Sequence, residues 1–584
     1  SKQFAINLQL MEMEPRPHQL EFAQFIERSL EAPLDVTTFI EAPTGIGKTF
    51  GYLLPLLAQT QDKIVVSVPT KVLQDQIMEK EAQLIKETFQ ISFHSMKSPQ
   101  NYLKLDAFYQ TLHELEENRL LNRFKMQLLV WLTQTQTGDL NEVGQLHRYA
   151  NFVHRIRHDG NLSKKSLFYR EDFWRKGQEY AKSSRVLLTN HAYLLTRLED
   201  DPSLVENRVL VVDEAQKLYF SLEQFSRASL SMADCMVELQ REIETEKSLL
   251  KRRILESLQF ELNALVKRLD DGGRKLELDG EQVQKIRQDL FELDVPKLSS
   301  LKELFHSRYQ VFWLDRIQEE SHQVLRLHSG RDTLVSIQDF IPESTRVLMV
   351  SATLAISRKV NLAAILGVTN YQFLGTEINF HQGQKIFINR DFPDLTNLSQ
   401  EELASELASY IDELASFDLP VFILFTSKEL LLATSQQMLV PHLAQYKNGD
   451  ATNIKRRFDR GETSVILGSG SFAQQCQLIQ VIPRIPFDNP SDFLVQKINQ
   501  RIRLEGKNPF YDYSLPLAIL RMKQALGRSN RFAEQESIVI LLDQRLLNRQ
   551  YGPQIQTSLK KIAPLTIVSR DEVMETLDQF RRRE

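Results

Sequence analysis

Short runs of apolar, mostly β-branched residues recur along the chain, and helical spacing of apolar residues follows several of them after a polar loop. An uninterrupted apolar run of four to eight residues is typical of a strand buried on both faces, as in a parallel sheet. Alternation of such strands with helices predicts an α/β fold with two cores. The strands predicted for the first core are 36–40, 63–68, 185–190, 208–212 and 346–350, and those for the second are 420–425, 464–467, 478–482 and 537–542.

Two stretches interrupt the first core. From about 97 to 184 the sequence consists of short aromatic-rich helical segments and basic loops, and from about 219 to 334 acidic, basic and leucine residues alternate at helical spacing. Both patterns predict mainly helical insertions. We interpret their charge runs as solvated helix faces rather than binding sites.

Length and composition limit the class of protein. A chain of 584 residues is too long for one hydrophobic core, and 42% hydrophobic with 25% charged residues is typical of a soluble globular protein. No apolar run approaches the roughly 18 residues that a membrane span needs, and no secretory signal opens the chain. The sequence therefore predicts a cytoplasmic protein with no membrane partner.

Charge and cysteine content narrow the possible partners. The net charge is −4, so a nucleic-acid partner requires a localised basic groove rather than an overall basic protein. Cys235 and Cys476 are the two cysteines of the sequence. They are too few for a disulfide framework, a cysteine-rich zinc site or a cysteine-ligated iron–sulfur cluster.

The segment 44–49 has the pattern of a phosphate-binding loop, with Thr44, Gly45 and Gly47 ahead of Lys48 and Thr49. It follows a predicted strand and opens a predicted helix, which is the context that this motif needs. Glycines let backbone N–H groups face the phosphates, and the helix N-terminus attracts the same anion. We expect Lys48 to reach the β- and γ-phosphates of ATP and the Thr49 hydroxyl to bind Mg²⁺.

An acid pair, Asp213 and Glu214, follows the buried strand 208–212. Open α/β sheets bind their ligands at the carboxyl ends of the strands. We expect Asp213 to bind Mg²⁺ and Glu214 to polarise the attacking water. Together with the phosphate loop, the pair predicts hydrolysis of a nucleoside triphosphate.

An ordered series of motifs spans nearly the whole chain and resembles the DinG/XPD-like superfamily-two DNA helicases. This ordered series is more specific than any single motif. Its segments are 16–19, 44–49, 67–70, 101–103, 131–133, 137–140, 189–191, 213–216, 351–353, 424–427, 524–531 and 542–545.

The resemblance implies an α/β fold of two RecA-like parallel-sheet motor domains, the first interrupted by two mainly helical insertions. We place the first motor domain at 1–95, 185–218 and 335–370, and the second at 371–584. The first insertion, at 96–184, stands at the position of the family's iron–sulfur domain. The second, at 219–334, is an arch-like insertion.

The resemblance also assigns further residues to the nucleotide site. Arg16 and Gln19 belong to the adenine-side motif, and Gln216 bridges the nucleotide and the second core. Gln524 positions the γ-phosphate or the water, and Arg528 and Arg531 are the arginine fingers. A guanidinium group suits this role because it stabilises charge spread over the γ-phosphoryl oxygens. The alternative for the two arginines is a surface salt-bridge pair.

Three departures from the family pattern affect the expected activity. Lys104 stands where cluster-containing members have a cysteine, which predicts an insertion without an iron–sulfur cluster. Gln216 replaces a histidine and can still bridge the nucleotide and the second core. The segment 470–477 reads GSFAQQCQ where the family typically has GSFWEGVD, which puts the coupling of hydrolysis to unwinding in question.

Nucleic-acid contacts are expected in the first insertion and near the core loops. Aromatic rings stack on bases, and basic or polar groups bind phosphates without sequence preference. Burial in a core is the commoner fate of a lone aromatic. The candidates are Lys71, Tyr102, Tyr169, Trp174, Thr426 and Ser427.

The leading hypothesis is an ATP-dependent DNA helicase or translocase that acts on single-stranded DNA or forked duplex, with family-like five-prime to three-prime polarity. The alternative is an ATP-gated module that binds single-stranded nucleic acid without unwinding it. Some Gram-positive DinG-like proteins carry an N-terminal exonuclease domain. Because no exonuclease signature precedes residue 15, we expect that such a domain, if it takes part, is a separate partner.

Overall fold

The computed structural model describes residues 2–42, 45–114, 118–270, 273–293, 298–319, 322–375, 383–469, 479–527 and 536–583. The strands are β1 (Thr37–Glu41), β2 (Ile64–Val68), β3 (Phe93–Ser95), β4 (Val186–Asn190), β5 (Val209–Val212), β6 (Arg227–Ser231), β7 (Lys275–Glu277), β8 (Val311–Glu319), β9 (His322–Gly330), β10 (Arg346–Ser351), β11 (Tyr371–Leu374), β12 (Gln384–Asn389), β13 (Val421–Phe425), β14 (Leu443–Ala444), β15 (Val465–Ser469), β16 (Ile479–Ile482), β17 (Ser537–Leu541) and β18 (Leu565–Val568).

The helices are α1 (Lys2–Leu10), α2 (Gln19–Ser29), α3 (Lys48–Gln59), α4 (Lys71–Glu79), α5 (Glu81–Phe89), α6 (Leu105–Leu112), α7 (Arg119–Leu132), α8 (Ala150–Ile156), α9 (Phe173–Ser183), α10 (His191–Asp200), α11 (Ala215–Phe225), α12 (Met232–Thr245), α13 (Leu249–Asp270), α14 (Gly280–Glu292), α15 (Ser299–Leu304), α16 (Leu362–Leu366), α17 (Gln400–Ala415), α18 (Lys428–Gln437), α19 (Ala451–Asp459), α20 (Phe493–Leu504), α21 (Leu515–Gly527), α22 (Arg545–Asn548), α23 (Gly552–Lys560) and α24 (Arg570–Arg581). Among the described helices, none is long and apolar enough to cross a membrane.

The first motor domain is built on a parallel sheet with strand order β11-β1-β10-β5-β2-β4-β3. Every residue of β2, β4 and β5 is buried, as their uninterrupted apolar runs predict. One strand, β10, separates β1 from β5. The loops that follow these three strands therefore meet at one edge of the sheet.

The second motor domain has a parallel sheet of its own, with strand order β14-β15-β13-β16-β17-β12-β18. The two sheets confirm the predicted α/β fold with two RecA-like motor domains. The boundary between them needs one correction, because β11 (Tyr371–Leu374) pairs in parallel with β1. The first sheet thus extends beyond the predicted boundary at 370.

The first insertion contains α6 to α9 and has a small core of its own, which includes Leu103, Phe108 and Phe124. Lys104 lies on its surface with its Nζ atom 3.0 Å from an oxygen of Asp159. The position where cluster-containing relatives carry a cysteine is therefore occupied by one side of an ion pair.

The second insertion combines α12 to α15 with an antiparallel sheet of order β6-β9-β8-β7, so the expectation of a mainly helical segment missed this sheet. The reason is that both faces of β8 are apolar. Phe312 and Leu314 pack in the core of the insertion, whereas Val311 and Trp313 pack against Leu494 on the other face. The usual alternation of apolar and polar residues is therefore absent.

The second insertion leaves the first motor domain and docks on α20 of the second. The Trp313 and Phe493 rings lie 5.0 Å apart between centroids. Ion pairs surround this contact at 3.1 to 3.3 Å, and they are Arg227–Asp492, Lys497–Glu277 and Arg501–Asp332. The two motor domains are thus connected through the insertion as well as through the chain between them.

Candidate active site

The phosphate loop connects β1 to α3, which begins at Lys48. Gly45 and Gly47 have φ angles of 86° and 77°, in the left-handed region that favours glycine. A Cβ atom on Gly47 would lie 2.4 Å from the Gln19 Nε2 atom, so a side chain there would displace the Gln19 amide. Thr44, the remaining predicted residue of the loop, lies outside the described residues.

Arg16 and Gln19 lie against the phosphate loop. The Gln19 side chain donates to the Gly47 carbonyl at 3.0 Å, and its Oε1 accepts from the backbone N–H of Arg16 at 2.9 Å. The Arg16 guanidinium donates to the Gly45 carbonyl at 3.3 Å. A cavity of about 80 Å³ adjoins these residues and reaches Lys48 and Thr49. The structure thus brings Arg16 and Gln19 together with the phosphate loop, and their assignment to the adenine side stays a prediction.

The acid pair meets the lysine of the loop across the edge of the first sheet. The Lys48 Nζ atom lies 3.0 Å from Asp213 and 3.8 Å from Glu214. Burial alone would lower the pKa of Lys48, but the two carboxylates outweigh this effect and raise it. Burial likewise disfavours the charge of Glu214, but Lys48 and Lys217 lower the pKa of Glu214 to about 2. Lys48 and Glu214 are therefore both charged at neutral pH.

Thr49 and Asp213 provide oxygen ligands that suit Mg²⁺. The buried Tyr52 lies one turn after Thr49 on α3, and its hydroxyl donates to Asp213 Oδ2 at 3.2 Å. Because Tyr52 stands one turn after Thr49 and its phenol reaches Asp213, the first turn of α3 lies beside the carboxylate. A hydroxyl and a carboxylate oxygen are ligands that fit Mg²⁺.

Gln216 connects the acid pair to the loop that follows β10. Its Oε1 accepts from the Ser351 hydroxyl at 2.6 Å, and the Ser351 oxygen in turn accepts from the backbone N–H of Thr353 at 3.0 Å. Gln216 and Ser351 are both buried. The segment 351–353 is thus tied to the helix that begins after Glu214.

Helix α21 of the second motor domain faces this region of the first. The Arg521 guanidinium lies 3.1 Å from Glu223 of α11, and the Lys523 ammonium donates to the Ala355 carbonyl at 2.9 Å. Gln524 is half-buried on the same helix. Arg528 and Arg531 lie outside the described residues, so their assignment stays a prediction.

Comparison with known proteins relates both motor domains to helicases. The family described as DEAD/DEAH box helicase matches residues 18–138, and the Helicase C-terminal domain matches residues 414–562. The chain is 25% identical over 629 residues to the 3'-5' exonuclease DinG of Bacillus subtilis (strain 168), covering 88% of this chain and 67% of that protein. A protein of the same name from Staphylococcus saprophyticus is 24% identical, covering 94% and 69%.

Solved structures agree on the fold. A structure titled XPD helicase matches with a TM-score of 0.62 and 18% identity, covering 95% of this chain and 99% of that one. The chain carries both domains of a helicase and is similar to DinG in sequence and to XPD in fold. Xpd4 from S. tokodaii matches this helicase with a TM-score of 0.58 and 16% identity, covering 94% and 100%. The helicase is accordingly an ATP-hydrolysing enzyme.

Two aromatic candidates for DNA contact are buried in this helicase. Tyr102 and Trp174 are 7% and 8% exposed and pack together in a core with 5.6 Å between ring centroids. The Tyr102 hydroxyl accepts from the backbone N–H of Lys97 at 3.1 Å, and burial raises the pKa of this tyrosine. Their assignment to base stacking is therefore wrong. The apolar core uses both rings, which was the alternative for a lone aromatic.

The other candidates remain near the surface. Tyr169 is half-buried beneath the Arg175 guanidinium, 5.0 Å from its ring centroid. The Lys71 ammonium donates to Asn101 Oδ1 at 2.9 Å, and burial, followed by repulsion from Lys97, lowers the pKa of Lys71. Thr426 is exposed, and the half-buried Ser427 caps α18 by accepting from the backbone N–H of Leu430.

Sequence reasoning gave no role to three buried residues that contact the acid pair. These are Tyr52, already described, together with Ser67 and His191. The Ser67 hydroxyl lies 2.7 Å from His191 Nδ1, and His191 Nε2 lies 2.9 Å from the Asp213 carbonyl oxygen. Burial lowers the pKa of His191 to about 4, so its imidazole is neutral. The motif 189–191 was the available signal, but its spacing does not indicate the partner.

Proposed function

We propose that this helicase uses ATP hydrolysis to move along single-stranded DNA and to unwind forked duplex, with the five-prime to three-prime polarity implied by the family resemblance. The observation that carries the proposal is the cluster in which the Lys48 ammonium lies 3.0 Å from Asp213 and 3.8 Å from Glu214. Gln216 follows Glu214 by two residues and accepts from the Ser351 hydroxyl, so helix α11 connects the acid pair to the segment that follows β10.

In the hydrolysis step, Lys48 and the loop amides bind the phosphates and neutralise their charge. Mg²⁺, held by Thr49 and Asp213, would supply further positive charge at the β- and γ-phosphate oxygens. Glu214 orients and polarises the attacking water through its carboxylate, which remains ionised because its pKa is low. The arginine fingers at Arg528 and Arg531 would complete the site when the motor domains close.

The proposed DNA path crosses corresponding positions of the two sheets. Lys71 begins α4 shortly after β2, and Ser427 caps α18 directly after β13. A helix N-terminus offers unpaired N–H groups and a positive dipole to a phosphate. One such N-terminus in each motor domain supports a path along the DNA backbone, and closure of the domains would change the distance between the two.

We also propose that the first insertion folds without an iron–sulfur cluster. Four thiolates are needed for such a cluster, and the whole sequence contains Cys235 and Cys476. Burial raises the pKa of the Cys235 thiol to about 12, which disfavours the thiolate form that binds metal. The ion pair of Lys104 with Asp159 further supports this proposal.

The test combines ATP hydrolysis, with and without single-stranded DNA, with strand displacement on duplexes that carry a five-prime or a three-prime tail. We expect DNA to stimulate hydrolysis and the five-prime-tailed duplex to be displaced. Lys48→Ala serves as the inactive control. Stimulation without displacement would contradict unwinding and support an ATP-gated binding module, and displacement of the three-prime-tailed duplex alone would overturn the polarity.

A further inference from the structure

The peptide between Asp213 and Glu214 has an unusual backbone. Glu214 has φ 49° and ψ 57°, in the left-handed region that residues with a Cβ atom rarely adopt. Such a conformation persists when the surrounding structure determines it, and it is common at active sites. Here it sets the direction of the Glu214 side chain, which extends toward Lys48 and toward Lys217 at 2.7 Å.

Several hydrogen bonds hold this peptide. The Asp213 N–H donates to the Ser67 carbonyl at 2.9 Å, and the Glu214 N–H donates to the Asp213 carboxylate at 2.8 Å. The Glu214 carbonyl accepts from the backbone N–H of Lys217. The Asp213 carbonyl precedes helix α11, and it accepts from a side chain, the Nε2 atom of His191.

His191 is itself held in one orientation. It is fully buried as the first residue of α10, directly after β4. A carbonyl oxygen can only accept, so Nε2 carries the proton and Nδ1 must accept from the Ser67 hydroxyl at 2.7 Å. Ser67 thus contacts the Asp213 backbone both directly and through the imidazole. Ser67, His191 and Asp213 thus form a closed ring of hydrogen bonds at the ends of three adjacent strands, β2, β4 and β5.

We propose that His191 is a positioning residue for ATP hydrolysis, which holds the Asp213–Glu214 peptide in its left-handed conformation and so aims the Glu214 carboxylate at the water. The inference rests on the role assigned to Glu214 in the proposed function. His191 lies behind the acid pair, whereas Lys48 and the phosphate loop bind the nucleotide. Loss of His191 therefore changes turnover rather than nucleotide binding.

The first test is steady-state ATP hydrolysis by the full chain with His191→Leu and His191→Gln. A displaced catalytic group costs about 10² in rate, so we expect kcat of His191→Leu to fall by about 10² with the ATP KM within about twofold of wild type. The glutamine Nε2 can donate to the same carbonyl. We therefore expect the kcat of His191→Gln to be at least about tenfold higher than that of His191→Leu.

A milder pair of variants keeps the test decisive should His191→Leu fail to fold. Ser67→Ala removes the group that fixes the imidazole, and we expect kcat to fall about threefold or more with KM unchanged. Ser329→Ala is the matched control, because Ser329 is an equally buried strand serine in the second insertion. We expect it to keep the kcat of wild type. Thermal unfolding is measured for every variant.

The outcomes separate the inference from the proposed function. Wild-type kcat in folded His191→Leu overturns the inference, as do equal losses in His191→Leu and His191→Gln, or an equal effect of Ser67→Ala and Ser329→Ala. Glu214→Gln is assayed in parallel. Wild-type turnover in Glu214→Gln overturns the role of Glu214 itself, whereas an inactive Glu214→Gln beside an active His191→Leu overturns the inference alone.

Discussion

Lys523 is a buried charge at the contact between the motor domains, and removing it should stabilise the helicase at neutral pH. The side chain is 7% exposed, and its ammonium donates to the Ala355 carbonyl. Burial, followed by repulsion from Lys561, lowers the pKa of Lys523 from 10.5 to about 8, although Glu41 opposes this. At about 1.4 kcal/mol for each pKa unit, the buried charge costs about 3 kcal/mol.

The sign of the pH dependence follows from the direction of the shift. Between pH 8 and 10.5 the unfolded chain keeps a proton that the folded Lys523 has released, so the free energy of unfolding rises with pH across this window. Below about pH 8 the whole cost applies. Lys523→Met removes the cost but also the hydrogen bond to Ala355, which contributes about 1 kcal/mol. The net gain at pH 7 is then about 2 kcal/mol.

The assay is denaturant unfolding of wild type and Lys523→Met at pH 7 and at pH 10.5. We expect the variant to be more stable at pH 7 and equal or slightly less stable at pH 10.5. Lys507→Met, which removes an exposed lysine from the same motor domain, controls for the loss of one positive charge. A stability difference that is the same at both pH values would refute the reasoning.

Three further predictions concern the nucleotide site and the first insertion. Glu214→Gln should bind ATP as wild type does, because Lys48 and the loop are intact. Its rate of hydrolysis should fall by about 10² or more, and ATP binding and turnover measured side by side check this. Gly47→Ala should raise the ATP KM at least about tenfold, because the added methyl group would displace Gln19 and the φ angle of Gly47 lies in the left-handed region. Gly144→Ala is the control, and it should leave KM unchanged because the space around Gly144 is open. Purified protein should be colourless, and elemental analysis that finds stoichiometric iron would contradict the cluster-free insertion.

The parts of the site that could be predicted from sequence are those coded by contiguous residues. The loop ending in Lys48 and Thr49 lies between a strand and a helix within one short segment, and Asp213 with Glu214 ends a buried strand. Each pattern specifies its own local structure. Their meeting at one sheet edge followed from the general rule for parallel strands.

The remaining features depend on contacts between distant segments. Ser67 lies in β2, whereas His191 and Asp213 directly follow β4 and β5, and nothing in their spacing indicates a ring of hydrogen bonds. Tyr102 and Trp174 were ambiguous for the same reason, because an aromatic residue has the same sequence signature in a core and on a DNA-binding surface. The segment 470–477, where the sequence departs most from the family, lies outside the described residues.

The docking of the second insertion on α20 limits how the two motor domains can move. The insertion emerges from the first motor domain, so a movement that separates the two domains must either carry the insertion along with α20 or break the contact of Trp313 with Phe493 and Leu494. Breaking that contact would expose apolar side chains to water, which costs free energy in proportion to the area uncovered. The contact therefore opposes wide separation of the two motor domains.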